Sequence, residues 1–245
     1  MSICAVIPAA GRGTRLGTDE PKILTQLREQ DTIWSILYGK LAPLVEHIHL
    51  VLSPHGASVF PPLPATVTYS IQSQPLGMGD AIFSGHEFWS QYDAILVVWG
   101  DQIFVSKTTL ARSIAALADP DRHLVLPLTR MVDPYVQYVF EGSHLTKILM
   151  TREGDIAMPN GLCDVGTFLL GTAGLKALWE EFLGETGNGH KGRSTGEINF
   201  LPFLPFLSAK GWRITPVEVE DALEARGINT KDDLAFFKSL YDGTP

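Results

Sequence analysis

Cysteine is nearly absent: only Cys4 and Cys163 occur in 245 residues. Two thiols are too few for a disulfide framework and fit a reducing compartment, so both are read as buried packing groups. No apolar run approaches the roughly 20 residues of a membrane-spanning helix. The short apolar N-terminus also lacks a basic leader, so neither a membrane anchor nor a secretory signal is expected, and residence is expected to be cytoplasmic. Positive charge is scarce as well. The formal net charge of −8 argues against a nucleic-acid-binding surface or a polybasic membrane patch. The seven histidines form no zinc-type cluster; His47 and His49 share one face of a strand, which is read as solvated. No internal repeat is visible, and no Ser-His-Asp or Cys-His constellation can be recognised.

Apolar residues are plentiful. With 45% hydrophobic content the chain can bury a substantial core, and its length predicts one α/β domain spanning residues 1–245. Short apolar runs at 3–7, 48–52, 67–71, 95–98, 124–128 and 166–170 alternate with helical patterns, which predicts a mainly parallel, doubly wound sheet. Between Pro134 and Lys147 the texture changes: Val136, Tyr138 and Phe140 alternate with other residues, and Gly142-Ser143 signals a turn. That pattern predicts a small β-rich, antiparallel insertion. Residues 184–196 carry five glycines with His190, Lys191 and Arg193 and no apolar period, which predicts a mobile loop, either a solvated linker or a basic lid. A closing amphipathic helix is predicted over 231–241, with Leu234, Phe237 and Leu240 on one face and Thr230 as N-cap.

The most informative stretch is the N-terminus, where a β-branched strand opens into Pro8-Ala9-Ala10-Gly11-Arg12-Gly13-Thr14-Arg15, followed by Pro21-Lys22. Gly11 and Gly13 let the backbone approach a ligand closely, so that main-chain N–H groups can line an anion site. Arg12, Arg15 and Lys22 add charge suited to a polyphosphate. Two better-known glycine loops fail on spacing. A dinucleotide fingerprint needs glycine where Leu16 stands and an acidic residue where the second strand ends at Ser53. A P-loop needs a lysine that Leu16-Gly17-Thr18 does not supply.

The order Gly11-x-Gly13-Thr14-Arg15 then Pro21-Lys22 resembles the opening signature of the sugar-phosphate nucleotidyltransferases, above all their uridylyltransferase domains. The resemblance continues through Gln72-Ser73-Gln74-Pro75-Leu76-Gly77-Met78-Gly79-Asp80-Ala81, Trp99-Gly100-Asp101, Asp164-Val165-Gly166, Gly196-Glu197 and Gly227-Ile228-Asn229. It implies a GT-A-like nucleotidyltransferase fold: doubly wound, Rossmann-like, with a mainly parallel mixed sheet and the β-rich insertion on the acceptor side. It also implies transfer of a nucleoside monophosphate from an NTP, UTP favoured, to a sugar-1-phosphate, releasing pyrophosphate. The partners implied are an NTP and a phosphorylated small molecule, and relatives commonly self-associate as homo-oligomers. Unlike the bifunctional relative, no hexapeptide-repeat acyltransferase segment follows Pro245, so acetyl transfer is not expected.

Such a reaction needs no general base, because an acceptor phosphate with a second pKa of about 6 is already largely dianionic. Its difficulty is to bring anions together, which Mg²⁺ and cationic side chains can solve. Asp101 follows the strand at 94–98, where open α/β sheets place their sites, and its carboxylate suits Mg²⁺. The resemblance adds Asn229 as second metal ligand and gives Arg15 and Lys22 the developing charge. The same comparison assigns the nucleotide to Ala9, Ala10, Gly11, Arg12, Gly13, Gln72, Gly77, Met78, Trp99, Gly100 and Asp101. Arg12 occupies a position that varies in the family.

On the acceptor side the resemblance points to Tyr138, Arg152, Asp164, Gly166 and Glu197, but the residues there depart from the family pattern. A Gly-Tyr-Gly-Arg turn is replaced by Val136-Gln137-Tyr138-Val139, an acidic position becomes Met150, and Asp164 stands where relatives carry Asn. The alternatives are a cytidylyltransferase for a polyol phosphate, a phosphonate or another phosphorylated metabolite, and a paralogue that binds nucleotide sugars without turnover.

Overall fold

A computed structural model of the chain describes residues 1–11, 16, 17, 20–186 and 191–242. Ten strands form one sheet in the order β3-β2-β1-β4-β9-β5-β8-β6-β7, with β10 on β5. The strands are β1 Ile3–Ala9, β2 His47–Leu52, β3 Val67–Ile71, β4 Ala94–Val98, β5 His123–Val132, β6 Val136–Glu141, β7 His144–Met150, β8 Asn160–Asp164, β9 Thr167–Gly171 and β10 Arg213–Glu218. β1 to β4 are mutually parallel. The nearly continuous apolar sequences of β1 and β4 follow from burial on both faces, under α1 Ile33–Leu41 and α5 Lys107–Ala116 on one and α3 Met78–Ser84 on the other, whereas the edge strand β3 is half exposed. Two buried clusters fill the layers: Ile7, Leu37, Leu50, Leu96 and Phe237 on one face, and Val6, Trp89, Val97, Phe168 and Phe203 on the other.

The predicted fold class stands, with changes in detail. β9 lies between β4 and β5 but runs antiparallel to both. A strand buried on both faces carries no mark of its direction, so the apolar run at 166–170 was compatible with either sense. β8 pairs with residues 128–132 of β5 and β9 with residues 124–125, so the two lie end to end along one edge of β5, interrupted at Val165 and Gly166. Gly166 takes φ +70°, and its carbonyl accepts a hydrogen bond from the Trp99 N–H. The hairpin β6–β7 continues the sheet from β8 with its turn at Gly142, φ +62°.

His49 is not solvated. It is fully buried, its ring nitrogens paired with the Thr68 and Ser70 hydroxyls of β3 and its face stacked on Phe88, and this burial pushes its pKa down to about 4. Both cysteines are buried, and desolvation pushes the Cys4 thiol up to about 12, which suits packing rather than reactivity. Most of the loop at 184–196 that is described is anchored rather than loose. Lys191 bridges to Ile198, buried Glu153 accepts from the Ser194 N–H and the Thr195 hydroxyl, and Arg193 pairs with Asp155. Residues 187–190, with His190, lie outside the described set. Helix α8, Lys231–Asp242, starts at Thr230, whose hydroxyl accepts from the Asp233 N–H. No helix of the described residues is long and apolar enough to cross a membrane.

Candidate active site

The carboxyl ends of β1, β3 and β4 and the interruption between β8 and β9 lie at one edge of the sheet, around a cavity of about 720 Å³. That volume suits a nucleotide-sized ligand with room for a second reactant. β1 delivers Ala9, Ala10 and Gly11; β3 delivers Gln72; β4 delivers Trp99, Gly100 and Asp101. Gly100 packs closely on β1: a Cβ there would lie 3.0 Å from the Pro8 carbonyl, which would have to give by a few tenths of an ångström. Gly77, Met78, Lys22, Arg152, Asp164, Glu197 and Asn229 complete the predicted residues that the cavity gathers. Two others do not reach it. Tyr138 is buried in the core, its aromatic ring drawn in by the apolar face of the hairpin, and Gly166 serves the backbone link to Trp99. Arg12, Gly13 and Arg15 lie outside the described residues.

At the centre, three residues far apart in sequence meet. Lys22 Nζ donates to Asp101 Oδ2 at 2.6 Å and to Asn229 Oδ1 at 2.8 Å. Lys22 opens a one-turn 3-10 helix after Pro21, pinned by the buried Ile23. Asp101 is held from two sides. Its carbonyl accepts from the Ile228 N–H at 3.1 Å, which sets Asn229 beside it, and a Cβ at Gly227 would stand 3.0 Å from its Cγ. The segment after it is tied by Lys40, whose ammonium donates to the Ile103 and Val105 carbonyls; burial lowers the Lys40 pKa to about 8.

Asp101 Oδ2 and Asn229 Oδ1 thus converge on one cationic atom. Hard oxygens so placed fit Mg²⁺, which typically takes one or two protein carboxyl or amide oxygens and fills its octahedron with water and phosphate. Among the described residues no group of three or more His, Cys, Asp or Glu is placed to hold a metal ion.

On the base side, Gln72 is nearly buried, and its amide N–H groups donate to Asp80 Oδ2 at 2.7 Å and to the Gly77 carbonyl at 3.1 Å. Gln72 lines the cavity, and no hydrogen bond to its carbonyl is found among the described residues, so that Asp80, which sequence reasoning passed over, fixes which end of the amide is engaged.

On the acceptor side, Arg152 and Glu197 form a half-exposed ion pair at 3.2 Å, worth about 1 kcal/mol at most. The carboxylate missing at Met150 is not absent from the cavity, since Glu153 lines it three residues later. Nothing in the local pattern marked Glu153, because its partners Ser194 and Thr195 are about 40 residues away, and those bonds occupy both its oxygens. Gln102 is also new to the site. It is buried, packs against Gly166, and its carbonyl has no hydrogen-bond partner.

Asp164 is fully buried, and desolvation, only partly offset by the Gly166 N–H at 2.8 Å, raises its pKa to about 6. The Tyr138 hydroxyl lies near enough to favour the carboxylate, yet no well-aligned hydrogen bond joins them. A folded-state pKa above the unfolded value means that the native state binds extra proton between pH 3.8 and about 6. Stability from this group is therefore full below that window and lost as pH rises through it. Asp164→Asn should gain stability relative to wild type across the window and plateau above it, by up to roughly 3 kcal/mol. Melting curves of both proteins from pH 4 to 8 check this; a difference that does not change with pH would refute the assignment.

Known proteins share this fold and, over part of their length, this sequence. The bifunctional protein GlmU of Ruegeria sp. (strain TM1040) is 27% identical over 260 aligned positions, covering 98% of this chain and 53% of that protein. The chain thus spans about half the length of that curated relative. Among solved structures, a Bacillus anthracis protein assigned as a glucose-1-phosphate thymidylyltransferase, in complex with a sucrose, superposes with TM-score 0.72 at 15% identity, over 100% of this chain and 97% of that one. The 4-diphosphocytidyl-2C-methyl-D-erythritol synthase of Anaerococcus prevotii DSM 20548 gives 0.67 at 15% identity, over 98% and 96%. At that identity both likenesses speak to the fold. Residues 5–187, which include Lys22, Gln72, Asp101 and Asp164, match the MobA-like NTP transferase domain model, and the chain belongs to that family of nucleotidyltransferases.

Proposed function

We propose that this chain acts as one catalytic domain that transfers a nucleoside monophosphate from an NTP, with UTP favoured, to a sugar-1-phosphate. The products are an NDP-sugar and pyrophosphate. The observation that carries this is the Lys22–Asp101–Asn229 cluster, seated in one cavity between the nucleotide-side Gly11 and Gln72 and the acceptor-side Arg152 and Asp164. An acceptor phosphate oxygen forms the new bond to the α-phosphorus, and the bond from that phosphorus to the bridging oxygen of pyrophosphate breaks. No proton need be removed from a dianionic phosphate.

The residues then divide five tasks among them. The backbone after Ala9, with Gly11 exposed in the cavity, cradles the phosphates. Lys22, whose stem is long and flexible, neutralises charge at the α-phosphate, with Arg15 assigned the same task from its sequence position. Asp101 and Asn229 hold Mg²⁺, which when bound supplies further charge stabilisation on the phosphoryl oxygens. The Gln72 carbonyl, its amide spent on Asp80, accepts from the N3–H of uracil or thymine. On the acceptor side Asp164 accepts from a hydroxyl, and Arg152 lies within reach of phosphate.

A cytidylyltransferase is the second reading, because the same carbonyl can accept from the cytosine amino group. Pyrophosphate release measured with UTP, CTP, dTTP, ATP and GTP against a panel of hexose-1-phosphates, polyol phosphates and phosphonates separates the two. UTP with a hexose-1-phosphate is expected to give the highest kcat/KM, and CTP with a polyol phosphate in first place would overturn it. Thermal stabilisation by NTP with no pyrophosphate from any acceptor would make the protein a binder.

A further inference from the structure

The oxygens suited to a metal already hold a cation. Lys22 Nζ sits at 2.6 Å from Asp101 Oδ2 and 2.8 Å from Asn229 Oδ1, at the point where a divalent ion would share them. An ammonium and Mg²⁺ cannot occupy one point, and their like charges repel strongly at such separation. The Lys22 and Asp101 side chains are only 21% and 17% exposed, so solvent screens this pair less than a surface one.

We infer that Lys22 closes the metal site of the nucleotide-free protein, and that a triphosphate opens it by drawing the ammonium onto its own oxygens. The asymmetry of the cluster supports this. Asp101 and Asn229 are fixed by the bond from the Ile228 N–H to the Asp101 carbonyl, by the packing of Gly227, and by the Asn229 N–H donating to Asp233 at 3.0 Å. Lys22 is joined to them only through its ammonium, at the end of four methylenes. It is the member free to move. Metal and nucleotide binding then become positively coupled: each vacates or neutralises what the other must displace, and the coupling is reciprocal. The lysine that neutralises the α-phosphate in the complex would thereby exclude stray divalent ions before it.

Mn²⁺ titration of the nucleotide-free protein, followed by the electron paramagnetic resonance signal of free Mn²⁺, tests the gate without any turnover. Lys22→Met is expected to bind Mn²⁺ about tenfold to a hundredfold more tightly than wild type, whereas Lys22→Arg, which keeps the charge, should stay at the wild-type value. Lys22→Gln serves in place of Lys22→Met should the latter fail to fold by circular dichroism. Affinity of the neutral variant within about twofold of wild type, or absence of Mn²⁺ binding in every variant, overturns the gate. The gate presupposes the metal role proposed above for Asp101 and Asn229, and a double variant with Asp101→Asn separates the two. Loss of the gained affinity in the double variant supports both, while its retention places the ion elsewhere and overturns both. Unchanged affinity in Lys22→Met, together with loss in Asp101→Asn alone, leaves the metal role standing and removes only the gate.

Discussion

Asp101→Ala is expected to lower kcat/KM for pyrophosphate release by roughly 10³-fold while the protein stays folded. The carboxylate is the only charged oxygen donor that meets Asn229 Oδ1 at Lys22 among the described residues, so its loss removes both the metal ligand and the anchor of the lysine. The fold should survive, because the Asp101 backbone bond to Ile228 does not depend on the side chain and Lys22 keeps its other bond, to Asn229 Oδ1. Asp101→Asn keeps the shape and loses the charge. A comparable activity loss in both would trace the effect to charge rather than packing. Retention of more than about a tenth of wild-type activity in Asp101→Ala would show that the metal and lysine are organised elsewhere.

Gly77→Ala should be damaging in a different way. Gly77 has φ +118°, a value that L side chains rarely adopt, and a Cβ there would stand 2.6 Å from the Ile198 carbonyl oxygen and 2.7 Å from its nitrogen. Both are backbone atoms, so no rotamer change relieves the clash. The two segments must part, breaking the bonds from the Ile198 N–H to the Leu76 carbonyl at 2.6 Å and from the Gly79 N–H to the Ile198 carbonyl at 2.9 Å. Strain and lost hydrogen bonds together suggest about 3 kcal/mol of destabilisation. Because Gly77 and Met78 line the cavity on the proposed base side and Glu197 and Asn199 on the proposed acceptor side, KM for both substrates should rise together. Gly142→Ala is the control, with φ +62° but open space around it; it should cost about 1 kcal/mol and leave kinetics untouched. A Gly77→Ala protein with wild-type melting behaviour and an acceptor KM unchanged would contradict this account.

Much of this fold could be read from the sequence because parallel buried strands advertise themselves. Ala94-Ile95-Leu96-Val97-Val98 is apolar on both faces for a reason, and the hairpin at 136–150 announces its turn at Gly142. β10 escaped notice because Arg213-Ile214-Thr215-Pro216-Val217-Glu218 contains a proline, which argues against an interior strand. In the structure it pairs with β5 alone, an edge position where a missing N–H is tolerated. His49 misled for a related reason: a histidine on an apolar strand reads as a polar surface marker until β3 is seen to supply Thr68 and Ser70 for its ring nitrogens.

The candidate site divides in the same way. Lys22 and Asp101 carry local signals, a Pro-Lys pair and a carboxylate at a strand end, but their meeting with Asn229, across 207 residues from Lys22, is a property of the topology. Glu153 and Gln102 belong to no motif, and Asp80, inside the stretch from Gln72 to Ala81, carries no signal of its own. Their importance lies in which groups they saturate or leave open, and hydrogen-bond partners are invisible until the chain is folded.

The interruption between β8 and β9 also bears on descent. Only β5 runs past it, and the hairpin beyond joins β8 through the single registered pair Tyr138 and Leu162 and rests on α7, Phe203–Ala209, with the Leu145 N–H donating to Ser208. The segment from 133 to 163 thus adjoins a frame, β1 to β4, that carries the nucleotide side of the reaction proposed above. Under that proposal, exchange of this segment would retarget the acceptor while β1 to β4 keep the nucleotide.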